Sequence, residues 1–221
     1  MKFAKIFYNL LNTKNINIIS LRDYLEKTHK FDVDLDFQPL FYRQSKLKIK
    51  FTPKQVDKAK TFLKKYDLNL NSKFVILATR DHNFKKFIHG KLFSHHENRN
   101  FDPKNLKLVI KDLIKKGIKV IRIAQYSKPV NLINNKNFID IYNIKKEMDF
   151  LYFLLIQRAI FFIGAPSGPL HIAQFFKKKI FCINLVTYNV IFSGYKMFIL
   201  PKKIVEKKKI IKIKEIFNKN L

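Results

Sequence analysis

Ala159-Ile-Phe-Phe-Ile-Gly-Ala-Pro-Ser-Gly-Pro-Leu-His-Ile-Ala-Gln-Phe175 decides the reading of this chain. Ile160 to Ile163 is an apolar run without alternation, the pattern of a strand covered on both faces in a parallel sheet. In this reading Gly164 and Pro166 break the strand and Ser167 caps a helix. Pro169 then falls in the first helical turn, where a missing N–H costs little. The N–H groups and dipole of such a helix start attract anions, and Gly168 allows a ligand close to the backbone. Phosphate binding here stands beside a blander reading, an ordinary turn of an α/β protein.

The same alternation extends outward. Strands are expected at Phe74 to Thr79, Ile118 to Ala124, Ile160 to Ile163 and Lys179 to Asn184. Helices are expected at Pro103 to Lys116, with Asp102 as N-cap and Gly117 as stop, at Glu147 to Arg158 and at Pro169 to Phe176. Strands alternating with helices imply an α/β fold, a doubly wound, Rossmann-like parallel sheet over residues 73–201. Ligands of such sheets bind beyond the carboxyl ends of the strands. That rule points at Arg80 and Asp81, Gln125 and Tyr126, Ala165 to Gly168, and Leu185 to Thr187.

Residues 1–72 differ. Pro53 to Tyr66 reads as a helix capped by Thr52, but the remainder is too short and irregular for a second Rossmann unit. Residues 202–221 carry Lys207, Lys208 and Lys209 and then Ile210, Ile211, Ile213, Ile216 and Phe217. They read as a basic amphipathic helix, packed back on the fold or laid on anionic lipid.

Lys and Arg number 45 against 16 Asp and Glu, a net charge of +29 that attracts nucleic acid, anionic membranes and nucleotide diphosphates alike. The lysines are scattered through every segment alongside abundant Asn, Ile and Phe, as A+T-rich coding produces. No groove-reading helix, zinc-finger spacing or RNP-like aromatic pattern accompanies them, so a nucleic-acid partner is not expected. The single cysteine, Cys182, excludes an internal disulfide framework and reads as a buried strand thiol. Neither a signal peptide nor an apolar run of spanning length is evident, so the expected location is the cytoplasm, either free or resting on the inner membrane face.

Phe162-Ile-Gly-Ala-Pro-Ser-Gly-Pro-Leu-His-Ile-Ala173 resembles the Gly-x-x-Ser-Gly-Pro-x-His-x-Ala turn in the C-terminal domain of heptosyltransferase-type glycosyltransferases. Phe74 to Asp81, ending in Arg-Asp, is similar to a strand of a related family of bacterial glycosyltransferases. A second stretch, Arg99-Asn-Phe-Asp102 followed by a helix and Gly117-Ile-Lys-Val-Ile-Arg-Ile123, resembles the same family. The three motifs occur in order across roughly residues 74–201. A histidine common before the Arg-Asp element is replaced here by Ala78 or Thr79, so no role carries over to that position.

The resemblance implies the donor-binding, C-terminal half of a two-Rossmann (GT-B type) glycosyltransferase, with residues 1–72 a remnant of the acceptor half. It implies transfer from a nucleotide-diphosphate sugar to a glycan or lipid-linked acceptor of the bacterial surface, with no cofactor and no metal. Arg80 would fork onto the diphosphate, with Asp81 orienting it or accepting from a sugar hydroxyl. Gln125, Ser167, Gly168 and His171 complete the expected donor contacts, His171 reading equally as a satisfied, half-buried histidine.

Residues 82–102 form a long loop holding His82, His89, His95, His96, Arg99 and Asn100; the spacings match no zinc pattern. It is expected to close on substrate through Arg99. No general base is identifiable, since such a base usually comes from the other half; Asp81, His95, His96 and Asp102 are the residues to search if this chain transfers sugar alone. A non-catalytic, truncated nucleotide-binding module is the rival reading.

Overall fold

The computed structural model describes residues 49–80, 83, 86, 87, 90, 100–185, 197–201, 204–206 and 209–211. Its main body is one six-stranded sheet. In chain order the strands are β1 (Phe74–Ala78), β2 (Lys119–Ala124), β3 (Phe138–Tyr142), β4 (Phe161–Gly164), β5 (Lys179–Leu185) and β6 (Met197–Pro201). Their spatial order is β3-β2-β1-β4-β5-β6, and every pairing is parallel. This is the doubly wound order of a Rossmann fold, whose reversal between β1 and β4 opens a crevice at the carboxyl ends.

Helices cover both faces: α1 (Pro53–Lys64), α2 (Lys107–Lys115), α3 (Phe150–Arg158) and α4 (Gly168–Phe175). β1 is buried throughout, and its side chains alternate between two cores. Phe74, Ile76 and Ala78 meet α1, α3 and α4 on one face, whereas Val75 and Leu77 meet Ile110 of α2 on the other. Residues Phe150 to Ile156 of α3 are all buried, which explains why that helix is apolar all round. Ala59 and Leu63 of α1 lie in the same core as the sheet.

Helix boundaries follow the sequence signals. Thr52 and Gln55 form a reciprocal capping box on α1. Asp102 accepts from the Lys104 N–H at 2.9 Å, although the first turn of the expected helix is a 3₁₀ segment, Pro103–Leu106. Gly117, at φ +72°, closes α2 in a Schellman arrangement: its N–H donates to Ile114 and that of Ile118 to Leu113.

Three expectations change. Gly164 does not break β4; it is its last paired residue, opposite Ala78 and Cys182. A Cβ at Gly164 would lie 2.9 Å from the Ala78 carbonyl oxygen and 2.9 Å from the Phe162 ring, so only glycine fits between β1 and β4. The described part of the tail is not helical. β7 (Ile204–Glu206) and β8 (Lys209–Ile211) pair as antiparallel strands, Ile204 opposite Ile211 and Val205 opposite Ile210. β-branched residues concentrated in both segments favour the extended backbone over a helix. β3 and β6 were not among the expected strands. Among the described residues no helix is long and apolar enough to cross a membrane.

Candidate functional site

The carboxyl edge of the sheet gathers the ends of β1, β2, β4 and β5. Arg80 follows β1 by two residues and is half-buried. Its Nη1 donates to the Pro166 carbonyl oxygen at 3.2 Å, and its Nε to Asn100 Oδ1 at 3.3 Å. Asn184 near the end of β5 donates from Nδ2 to the Asn100 carbonyl oxygen at 2.7 Å. Asn184 itself has φ +58°, a conformation asparagine tolerates better than most side chains. These bonds tie together the ends of β1 and β5, the approach to α2 and the β4–α4 turn. A permanently charged guanidinium is thereby held beside the start of a helix.

Ser167 occupies the N-cap position with extended φ −166° and ψ 170°, but its hydroxyl makes no capping bond. It donates instead to the Ala165 carbonyl oxygen at 2.9 Å. The reason lies in the next residues. An N-cap side chain accepts from the second or third helical N–H. The second residue here is Pro169, which has no N–H, and the N–H of the third, Leu170, donates to the Ser167 carbonyl at 3.0 Å. Gly168, the first helical residue, is exposed. His171 is half-buried, with Nδ1 3.0 Å from Oε1 of the buried Gln174.

Gln125 follows β2, and both ends of its amide are engaged within the fold. Nε2 donates to the Ile144 carbonyl at 2.9 Å, and Oε1 accepts from the Tyr152 hydroxyl at 3.2 Å. The Ala124 and Ile141 carbonyl oxygens also lie 3.2 Å from the Tyr152 oxygen and share its single proton with Gln125, and burial raises its phenol above the usual range. Tyr126 has φ +58° and stacks on Phe87, ring centroids 3.7 Å apart.

Beneath this edge lies a charged group that the sequence reading passed over. Arg122, 2% exposed, is paired in register with Asp140 across β2 and β3, Nη1 to Oδ1 2.7 Å. It also donates to Thr79 Oγ1 at 2.9 Å, Ser127 Oγ at 2.8 Å and the Lys128 carbonyl at 3.2 Å. The second Asp140 oxygen accepts from the Val130 N–H at 2.7 Å. A lone Arg in the strand Lys119-Val-Ile-Arg-Ile-Ala124, with an Asp in Phe138-Ile-Asp-Ile-Tyr142, was the available signal. Together they fix Thr79, which precedes Arg80, and the turn after Tyr126.

Arg80 is thus brought against the β4–α4 turn that carries Ser167 and Gly168, while Gln125 sits on the far side of β1 from that turn. Asp81, Arg99, His82, His89, His95, His96, Val186 and Thr187 lie outside the described residues. Among the described residues no group of three or more His, Cys, Asp or Glu could hold a metal ion. Asp102, exposed, spends one carboxylate oxygen on its helix cap. Burial pushes the Cys182 thiol up to about 11, so it is protonated at neutral pH and no nucleophile.

No protein-family model and no curated protein matches the sequence. Solved structures do match in fold. One is a glycosyl transferase of family 9 from Veillonella parvula, at TM-score 0.51 and 12% identity, covering 79% of this chain and 47% of that one. Another is the ADP-heptose LPS heptosyltransferase II of E. coli, at TM-score 0.51 and 8% identity, covering 73% of this chain and 46% of that one. The shared property is the Rossmann-like α/β fold. This chain spans about half the length of the structures it matches.

Proposed function

We propose that the carboxyl edge of this sheet binds the diphosphate of a nucleotide-diphosphate sugar. In this reading the chain is the donor-binding part of a glycosyltransferase that builds a bacterial surface glycan. The observation that carries the reading is the Arg80–Pro166 bond, which holds a guanidinium at the mouth of the β4–α4 turn. Sugar transfer leaves negative charge on the departing nucleoside diphosphate. A fixed arginine and a helix start, already oriented before reaction, stabilise that charge without reorganising.

Pro169 removes one of the helix-start donors, so Arg80 carries more of the anion's charge than the turn alone would suggest. Ser167 and Gly168 would line the phosphates and His171 would stand behind them. Asp81 and Arg99 belong to the same reading as donor contacts. The acceptor, a glycan or lipid-linked sugar met at the cytoplasmic membrane face, and the base that deprotonates it would be supplied by a second Rossmann-like half. The match to about half of each solved transferase supports this division, and equally supports a nucleotide-binding module without turnover.

The test is titration calorimetry of the purified chain with the uridine, adenosine, guanosine and cytidine diphosphates. Saturable one-to-one binding of at least one is expected. Absence of binding by all four would remove the reading.

A further inference from the structure

We propose that the stacked pair Phe87 and Tyr126 is the platform on which the nucleotide's base stacks, an inference that rests on the diphosphate site above. The two rings lie 3.7 Å apart at an interplanar angle of 15°, a face-to-face arrangement. Phe87 is 60% exposed, so a wide apolar surface remains in water beyond the stack. Such a ring gains from a planar partner twice, by shedding water and by π contact, and every nucleobase offers a π face.

Tyr126 is also built to stay in place. Tyr126 stands in the left-handed region at φ +58°, unusual for a bulky residue and characteristic of sites the surrounding structure over-determines. Both of its neighbours are pinned. The Gln125 amide is held by the Ile144 carbonyl and the Tyr152 hydroxyl. The Ser127 N–H donates to Asn143 Oδ1 at 2.9 Å, and Asn143 Nδ2 returns a bond to the Ser127 carbonyl at 2.9 Å. The Ser127 hydroxyl is further fixed by buried Arg122.

The placement fits a nucleotide laid across the strand ends. Ile123 pairs with Ala78 and Ala78 with Gly164, so the end of β2 is two strand spacings from the end of β4. At about 4.8 Å per spacing that is roughly 10 Å, on the order of the span of a ribose between diphosphate and base. A diphosphate at Arg80 and the β4–α4 turn would therefore direct its ribose along the sheet edge and its base toward Tyr126. Stacking alone does not choose among bases, so the site should accept several nucleoside diphosphates with similar affinity.

The experiment compares nucleoside diphosphate with inorganic pyrophosphate, by calorimetry, on the wild type, Phe87→Ala and Tyr126→Ala. Loss on the order of tenfold in nucleoside diphosphate affinity is expected in each variant, with pyrophosphate affinity unchanged within about twofold. Phe87→Trp should preserve binding and, in a chain with no native tryptophan, report the base by fluorescence quenching that pyrophosphate does not produce. Unchanged nucleotide affinity in Phe87→Ala, or an unquenched Trp in a variant that binds nucleotide, would overturn the platform and leave the diphosphate site intact. A wild type that binds neither ligand would overturn both.

Discussion

Arg80 and Pro166, 86 positions apart in sequence, are joined by a hydrogen bond of 3.2 Å from guanidinium to backbone carbonyl. That contact places the end of β1 against the turn that opens α4. It converts an arginine at a strand end into one aimed at a helix start, and the functional reading hangs on it.

The two glycines of the strand–turn–helix unit should separate stability from binding. A Cβ at Gly164 meets the Ala78 carbonyl at 2.9 Å, so Gly164→Ala should cost about 1–3 kcal/mol of stability through overpacking. Gly168 is exposed and has no positive φ, so Gly168→Val should melt within about 2 °C of the wild type while losing nucleotide affinity. Thermal melts with parallel calorimetry decide the matter. A Gly168→Val protein that binds normally would remove the turn from the site.

Breaking the buried pair should be expensive. Arg122→Met leaves the Asp140 carboxylate without its guanidinium in a largely dry setting, and about 3–5 kcal/mol of destabilisation is expected. Urea unfolding measures it. A loss below about 1 kcal/mol would show the Asp140 carboxylate well served by the Val130 N–H and water.

Much of this was legible in the sequence, and the remainder was hidden for physical reasons. β1, β4 and β5 announce themselves because strands covered on both faces are largely apolar runs, and β2 reads the same way apart from Arg122. Thr52, Asp102 and Gly117 mark helix ends because capping is local chemistry. β3 is an edge strand whose central Asp140 disguises it; only its pairing with Arg122 explains an acid there. Ile204, Ile210 and Ile211 fit either period, and the pairing of β7 with β8 decides for strands at those residues. At the site, Arg80 was readable from its place at a strand end. The idle capping position of Ser167 was not, because it depends on which way a hydroxyl turns.

Alkaline pH should weaken the fold by a route traceable to Cys182. Its thiol is pushed up to about 11 by burial, above the usual thiol range. A raised acid binds its proton more tightly folded than unfolded, so this contribution is whole below pH 9 and is lost as pH rises toward 11. Tyr152, raised also by burial, adds loss in the same direction from about pH 10 upward. Urea titrations between pH 8 and 10.5 should show stability falling, and Cys182→Ala should flatten the part of the slope that begins near pH 9. Identical slopes in the two proteins would show that another group controls the alkaline limb.

Turnover should require more than this chain. Holding an acceptor against the anomeric carbon contributes several kcal/mol to such reactions, and the described sheet edge offers one wall of a cleft. Incubation with nucleotide-diphosphate sugars and glycan acceptors should release no nucleoside diphosphate above background. Robust transfer by these 221 residues would place the acceptor site and base within them, and would direct the search to Asp81, His95, His96 and Asp102.

The most direct measurement is the affinity of nucleoside diphosphate for the wild type and for Arg80→Lys, by calorimetry at fixed salt. Lysine keeps the positive charge but cannot bond Pro166 and a diphosphate through one rigid fork. An affinity loss of about 1–3 kcal/mol is expected, the range of a charge-assisted hydrogen bond. Equal affinity in the two proteins would reduce Arg80 to a general surface charge and contradict the placement of the diphosphate at this turn.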